Sequence, residues 1–463
     1  MLQLRRWPWF VVILALIATG STVAAVRSDR GRADLQWDRR VAPYVHFVER
    51  ERGLRFTHAV RTEFLSDKAF RAEVTSGEAP TAADTADQHH LEGLFRALGL
   101  VEGTLDLRKA TDTLNGEEIL GLYDPDKDRV LVRGSRITPD MRPTIVHELT
   151  HALQAQHFDL NRATKTSGED TAFTSLVEAD AVRIEDKYVA SLSTKEQDAL
   201  DASTQAQADA ADVKDVPPIL SELFSLPYVL GPPFVDALID AGGTAAVNRA
   251  LRKPPTTEEH IVDPDAYLNG DRPAHVATPK LATGEKRAAP PDDFGMVSLL
   301  LVLGERVPFA QAWTAVEGWK GDASVSFRSG GKDCIRVRTA FDSAKDAAEF
   351  LAAAELWAGG RATASATADG DLVELRSCDP GTGTTTADTA RPRTFDLLQL
   401  RVELVASLRH SGADHRQATC VADAVFHDHD PAALLAAAAV SDEKDPKLVA
   451  LQRDVAAART RCH

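Results

Sequence analysis

The stretch Pro143-Thr144-Ile145-Val146-His147-Glu148-Leu149-Thr150-His151-Ala152-Leu153-Gln154-Ala155-Gln156-His157-Phe158-Asp159-Leu160 decides how this chain is read. His147 and His151 are four positions apart, so on a helix of 3.6 residues per turn both imidazoles leave one face and reach a single ion at about 2.0–2.1 Å. Glu148 is offset toward the remaining coordination position, where a carboxylate takes a proton from an activated water and later hands it to a leaving amine. The helix is expected to begin near Asp140. Thr138 or Asp140 offers a cap, Pro143 suits a first turn, and Val146, Leu149 and Leu153 form an apolar stripe turned away from the histidines.

Two imidazoles call for a third ligand. Glu178, in Ser175-Leu176-Val177-Glu178-Ala179-Asp180-Ala181, stands 27 residues past His151, room for a loop and an antiparallel helix over Thr171–Leu192. A carboxylate among Leu, Val and Ala is costly to bury unless paired or bound to a cation. Asp180 and Glu185 on the same helix are alternatives, and Asp180 also suits orienting a ligating histidine. His157 has the spacing of HExxHxxGxxH, but Gln154 stands where the glycine would break the helix, and a continuous helix turns His157 away.

Working outward, Pro43–Arg52 reads as a helix, Leu54–Leu65 as a strand, and Asp87–Leu98 as an amphipathic helix. Glu118–Tyr123 and Arg129–Arg133 read as a hairpin around the turn-forming string Asp124-Pro125-Asp126-Lys127-Asp128. Downstream, residues 193–216 have few large apolar side chains and read as a solvated linker or exposed helix. Ile219–Gly242 and Phe294–Gly304 are apolar and helical. Val325–Arg328, Cys334–Thr339 and Leu372–Arg376 are strand-like around a helix at Ser343–Trp357, and a helical tail follows from Phe395. The expected class is α+β: a mainly helical domain with a small sheet over residues 27–320, a small α+β unit over 321–392, and a helical tail over 393–463.

The chain has 463 residues and a formal charge of −16, which argues against nucleic acid as a partner. Residues 1–26 place Arg5 and Arg6 before an uncharged apolar run, which reads as a signal peptide or an N-terminal membrane anchor, and hence as an extracytoplasmic location, secreted or anchored. The four cysteines, Cys334, Cys378, Cys420 and Cys462, fit an oxidising compartment and structural disulfides. They lack zinc-cluster spacing, and three pairings remain open. Sequential pairing would close two loops, each stabilising by about 4 kcal/mol on the chain-entropy model.

His147-Glu148-Leu149-Thr150-His151 followed by a helix-borne Glu178 resembles the gluzincin type of zinc metallopeptidase. The runs His147–Leu160 and Leu176–Ala181, with Pro227-Tyr228, Pro254–Glu258 and Gly318–Asp322, resemble more closely a little-characterised group of bacterial envelope proteins of that kind. The resemblance covers about residues 40–375. It implies a zincin-like fold, one Zn²⁺ on His147, His151 and Glu178, Glu148 as general base, and a peptide or protein substrate. Relatives read Glu-Gly-Asp where this chain has Glu178-Ala179-Asp180, and His-Pro where it has Asp263-Pro264, so an aspartate stands in place of that histidine. His260 nearby and Tyr228 are candidate oxyanion donors, with Tyr123, Tyr188 and Tyr267 also weighed. In zincins the strand before the active-site helix commonly pairs with extended substrate, a role for which the Glu118–Arg133 hairpin is placed. Two other readings stand beside this one: a peptidase-fold scaffold that cleaves nothing, and a metzincin-like enzyme using His157.

Overall fold

The computed structural model describes residues 36–75, 81–383, 393–440, 442 and 444–462. Residues 1–26, and with them the signal or anchor reading, lie outside the described residues. Among the described residues no helix is long and apolar enough to cross a membrane.

Helix α1 (Ala42–Arg52) starts with proline in its first turn and stops at Gly53, whose φ of 71° is a left-handed cap. That stop leaves 54–60 irregular, so the strand expected from Leu54 is confined to β1 (Arg61–Leu65). Helices α2 (Asp67–Val74), α3 (Ala82–Leu98) and α4 (Leu107–Glu118) precede β2 (Gly121–Asp124) and β3 (Arg129–Arg133). Helices α2 and α4 were not foreseen. Asp106 caps α4 by accepting from the Lys109 N–H, and this helix draws in Glu118, which the hairpin reading had assigned to a strand. The hairpin itself forms with β2 antiparallel to β3, while β1 runs parallel on the other side, in the order β1-β3-β2.

Helix α5 (Met141–His157) packs on this sheet, and helix α6 (Ser167–Ser191) packs on α5. Asp140 occupies the cap position of α5, but its carboxylate accepts from Ser203 Oγ and makes no cap bond, a correction to the expected capping. Val146, Leu149 and Leu153 are fully buried against Val45, Val130 and Ile184. Helix α7 (Thr194–Ala210) opens on a Ser193–Glu196 capping box and buries only Leu200 and Thr204, so the segment 193–216 is largely an exposed helix.

The 35-residue α8 (Pro218–Arg252) contains Pro227, Pro232 and Pro233 and breaks at Gly242 and Gly243. It crosses α6 at Gly231, where an added Cβ would lie 2.2 Å from the Ser175 carbonyl oxygen; only glycine allows this approach. There follow α9 (Glu258–Val262), α10 (Pro264–Asn269), β4 (Lys286–Arg287), α11 (Met296–Gly304) and α12 (Phe309–Val316). A second sheet of order β4-β5-β6-β8-β7 contains β5 (Trp319–Ser329), β6 (Lys332–Phe341), β7 (Ala364–Asp369) and β8 (Leu372–Cys378), with α13 (Ala344–Ala358) packed on it. Strand β7 escaped the sequence reading because it is a mostly exposed, polar edge. The tail is α14 (Thr394–His410), α15 (His415–Asp428), α16 (Pro431–Ala438) and α17 (Pro446–Arg461).

The disulfides are Cys334–Cys378, across paired strands β6 and β8, and Cys420–Cys462, joining α15 to the end of α17. One continuous apolar core runs from Leu98 through α8, α11 and α13 to Cys462.

Glu258 is 3% exposed and accepts N–H bonds from Val297 and Ser298 at the start of α11. Burial, reinforced by Asp293 and Asp322, pushes its pKa up to about 8, although those backbone bonds oppose the shift. The folded state therefore keeps a proton that the unfolded chain releases near pH 4.5, so this group's stabilisation is present below that pH and is lost as pH rises toward 8. Over that window Glu258 tilts stability downward as pH rises. Glu258→Gln, which copies the protonated acid, is expected to flatten this slope in denaturant melts taken from pH 5 to 8; an unchanged slope would exclude Glu258 as its source.

Candidate metal centre

His147 and His151 leave the same face of α5, with ring centroids 4.6 Å apart. Their Nε2 atoms are 2.9 Å apart, and Glu178 Oε2, brought across by α6, is 3.2 Å from each. In a tetrahedral site with bonds of about 2.0–2.1 Å, ligand atoms sit roughly 3.3 Å from one another. The observed triangle is close to that size.

The outer nitrogens decide which atoms carry protons. Gln154 Nε2 donates to Val177 O and Asp180 Oδ2, so its Oε1 faces His151 Nδ1 at 2.9 Å and can only accept. His147 Nδ1 faces Glu185 Oε2 at 3.0 Å, again an acceptor. Both Nδ1 atoms therefore bear hydrogens, and each neutral ring turns the lone pair of its Nε2 toward the other and toward a carboxylate. Three acceptors converging without a donor repel unless a cation lies among them. The electrostatics show the same demand for positive charge, which a proton meets when no metal is bound. Burial alone favours neutral rings, but Glu178 and Glu185 outweigh it and raise the His147 pKa well above its ordinary value; Glu178 likewise raises that of His151. Burial resists ionisation of Glu178, yet the two imidazoles hold its pKa far below the usual carboxylate range. The donor set of two nitrogens and one oxygen suits Zn²⁺.

Glu178 and Glu185 are seven residues apart, two turns of one helix, which explains why one α6 face reaches both sides of the His147 ring. Asp180 does not join the triangle. It holds Gln154, and through it His151, while its charge is met by the fully buried Arg52 at 2.7 Å and by Arg183 at 2.8 Å. Arg52, at the last turn of α1, was not anticipated; an Arg within Glu49-Arg50-Glu51-Arg52 has no sequence signature that separates it from a solvated one. Gln154, read only as an absent glycine, holds the His151 tautomer.

Glu148 is fully buried. Its Oε2 accepts the Tyr123 N–H of β2 at 2.7 Å, while Oε1 has no hydrogen-bond partner. Burial raises its pKa, against the pull of His147 and His151. Tyr123 is itself held by its hydroxyl, which donates to Asp128 Oδ1 at 2.9 Å, and Asp128 is held by His58 at 2.9 Å. Asp128 adopts φ 50°, the one left-handed non-glycine among the described residues, at the end of the hairpin turn. The turn thus fixes the strand that aims Glu148.

The remaining candidates lie elsewhere. Helix α5 runs unbroken to His157, whose Nε2 meets the Arg55 carbonyl oxygen at 2.7 Å, so His157 is not among the converging atoms. His260 spends both ring nitrogens on backbone, accepting from the Thr256 N–H and donating to Asp271 O. Asp263 caps α10 and pairs with His415. Tyr267 donates to Lys253 O, and Tyr188 packs edge-on against Tyr44 and Phe47. Tyr228 has its ring centroid 6.4 Å from that of His147. The centre is closed to solvent: side-chain exposure is 0% at His147, 2% at His151 and 3% at Glu178.

A family model described as a domain of unknown function (DUF8575) matches residues 283–389, which span β4 to β8 with α11, α12 and α13; residues 147–185 lie outside it. No curated protein and no solved structure matches the chain.

Proposed function

We propose that the chain is an exported zinc-dependent metallopeptidase of zincin-like fold. The observation that carries this reading is the convergence of His147 Nε2, His151 Nε2 and Glu178 Oε2, with both Nδ1 hydrogens committed outward. Zn²⁺, when bound, supplies a Lewis acid that makes water nucleophilic near neutral pH. Glu148 Oε1, a buried carboxylate oxygen without a hydrogen bond, takes the proton from the attacking water and returns it to the leaving amine. Burial raises the affinity of that carboxylate for the proton it must carry. Strand β2 lies at the sheet edge beside α5, where its backbone would pair with extended substrate, and Tyr228, with its ring 6.4 Å from that of His147, would meet a developing oxyanion. The two disulfides support an oxidising, extracytoplasmic location.

The burial of the centre favours a second reading, a metal-bound envelope scaffold that cleaves nothing, since a catalytic metal needs an open position. Digestion of a mixed peptide library separates the two. The peptidase reading expects about one zinc per chain by elemental analysis and cleavage that stops with chelator and returns with zinc. Zinc without cleavage supports the scaffold. No bound metal, and none taken up on titration, removes both.

A further inference from the structure

A cavity of about 190 Å³ lies where the tail helices α14 and α15 meet α9, α10 and α12, and no residue of the metal centre lines it. Val316, Val402 and Val405 form an apolar wall. The polar wall is incomplete. Arg401, with a side chain only 4% exposed, lies over the Trp313 ring at 3.6 Å and gives one terminal N–H to Asp423, but its buried Nε has no hydrogen-bond partner. His415 Nε2 lies 3.0 Å from Asp263 and donates to it, so the buried Nδ1 is left as an acceptor with no donor. Glu259 has no hydrogen bond or ion pair among the described residues, and burial beside Asp263, Asp342 and Asp271 pushes its pKa up to about 7 against the weaker pull of Lys320. Leaving such groups unmet in a recess is costly.

Two acceptors and one donor are the complement of an ammonium next to a carbonyl or carboxylate oxygen. We propose that this cavity binds an apolar α-amino compound, its ammonium held by Glu259 and His415 Nδ1, its neighbouring oxygen by Arg401 Nε, and its side chain against the valine wall. A simple anion is disfavoured because Glu259, Asp263 and Glu317 all line the space. At about 30 Å³ per water the volume equals some six waters, the size of one amino-acid residue and not of an extended peptide. A free amino acid and the first residue of a peptide present the same group. The proposal is independent of the metal centre, and its test is run on chelator-treated full-length protein so that either can fail alone.

The experiment is calorimetric titration with L-leucine, Leu-Gly-Gly and their N-acetyl forms. Binding of L-leucine, Leu-Gly-Gly or both is expected, and N-acetylation is expected to weaken it at least about tenfold, because a neutral amide cannot pair with a carboxylate. Glu259→Gln, a partly exposed and isosteric change, should weaken it similarly. Leucine alone binding assigns the site to free amino acids, whereas equal or tighter binding of Leu-Gly-Gly assigns it to peptide N-termini. No heat from either ligand at about 10 mM, or binding indifferent to acetylation, overturns the proposal; the acetylation series needs no variant and so holds even if Glu259→Gln misfolds.

Discussion

Glu178→Ala is expected to yield a protein that neither holds zinc nor melts where the wild type does. Glu178 is the only anion in the triangle, 3.2 Å from both imidazoles and 3% exposed, so its removal leaves two Nε2 lone pairs 2.9 Å apart with nothing to bind a cation against them. Zinc affinity should fall by more than about 100-fold, beyond what loss of an orienting residue costs. Removing one partner from a buried charged set also destabilises by about 3–5 kcal/mol, because the remaining groups stay desolvated and unpaired. Elemental analysis and thermal melts with and without added zinc give both numbers. A variant that retains stoichiometric zinc and the wild-type melting point would show that the metal, if bound, sits elsewhere.

Glu148→Gln has the opposite profile: zinc and fold retained, hydrolysis lost. The amide oxygen can still accept the Tyr123 N–H that Glu148 Oε2 now accepts at 2.7 Å, and the volume is nearly unchanged. An amide cannot carry a proton between water and amine, so peptide cleavage should drop by about 10²–10⁴-fold, the usual contribution of a general base. Since burial makes Glu148 hard to ionise, replacing it with a neutral group should hold or slightly raise the melting temperature of metal-free protein. Cleavage that survives the substitution would end the general-base assignment. Read together, the two variants distinguish a centre that binds from a centre that reacts.

Much of this centre was legible as a pattern because helix periodicity is local. Four residues apart means one face, so His147 and His151 needed only the helix to form, and Glu178 stood out as an acid in an apolar run. The orienting groups were harder. Glu185 appeared only as a rival ligand, and Gln154 only as a substitution for glycine, because hydrogen bonds to an outer ring nitrogen carry no spacing rule. Arg52 reaches Asp180 from 128 positions away, a contact set by the angle at which α1 crosses α6. In the fold, the long helices were evident, whereas α2 and α12 are only eight residues long, α4 buries just Ala110, Leu114, Asn115 and Gly116, and the edge strand β7 is polar and exposed, so each offered too little apolar pattern to read.

The amino-acid order alone determined the coaxial histidine pair with its neighbouring acid, the helix that bears them and the supply of four late cysteines, since each depends on residues close along the chain. Tertiary structure decided the rest: that Glu178 and not His157 meets the imidazoles, that the cysteines join in sequential pairs, and that Asp180 acts through Gln154. Those outcomes depend on how helices cross and strands align, and the approach of α8 to α6 at Gly231 or the Cys334–Cys378 register is a property of packed surfaces that no local spacing encodes.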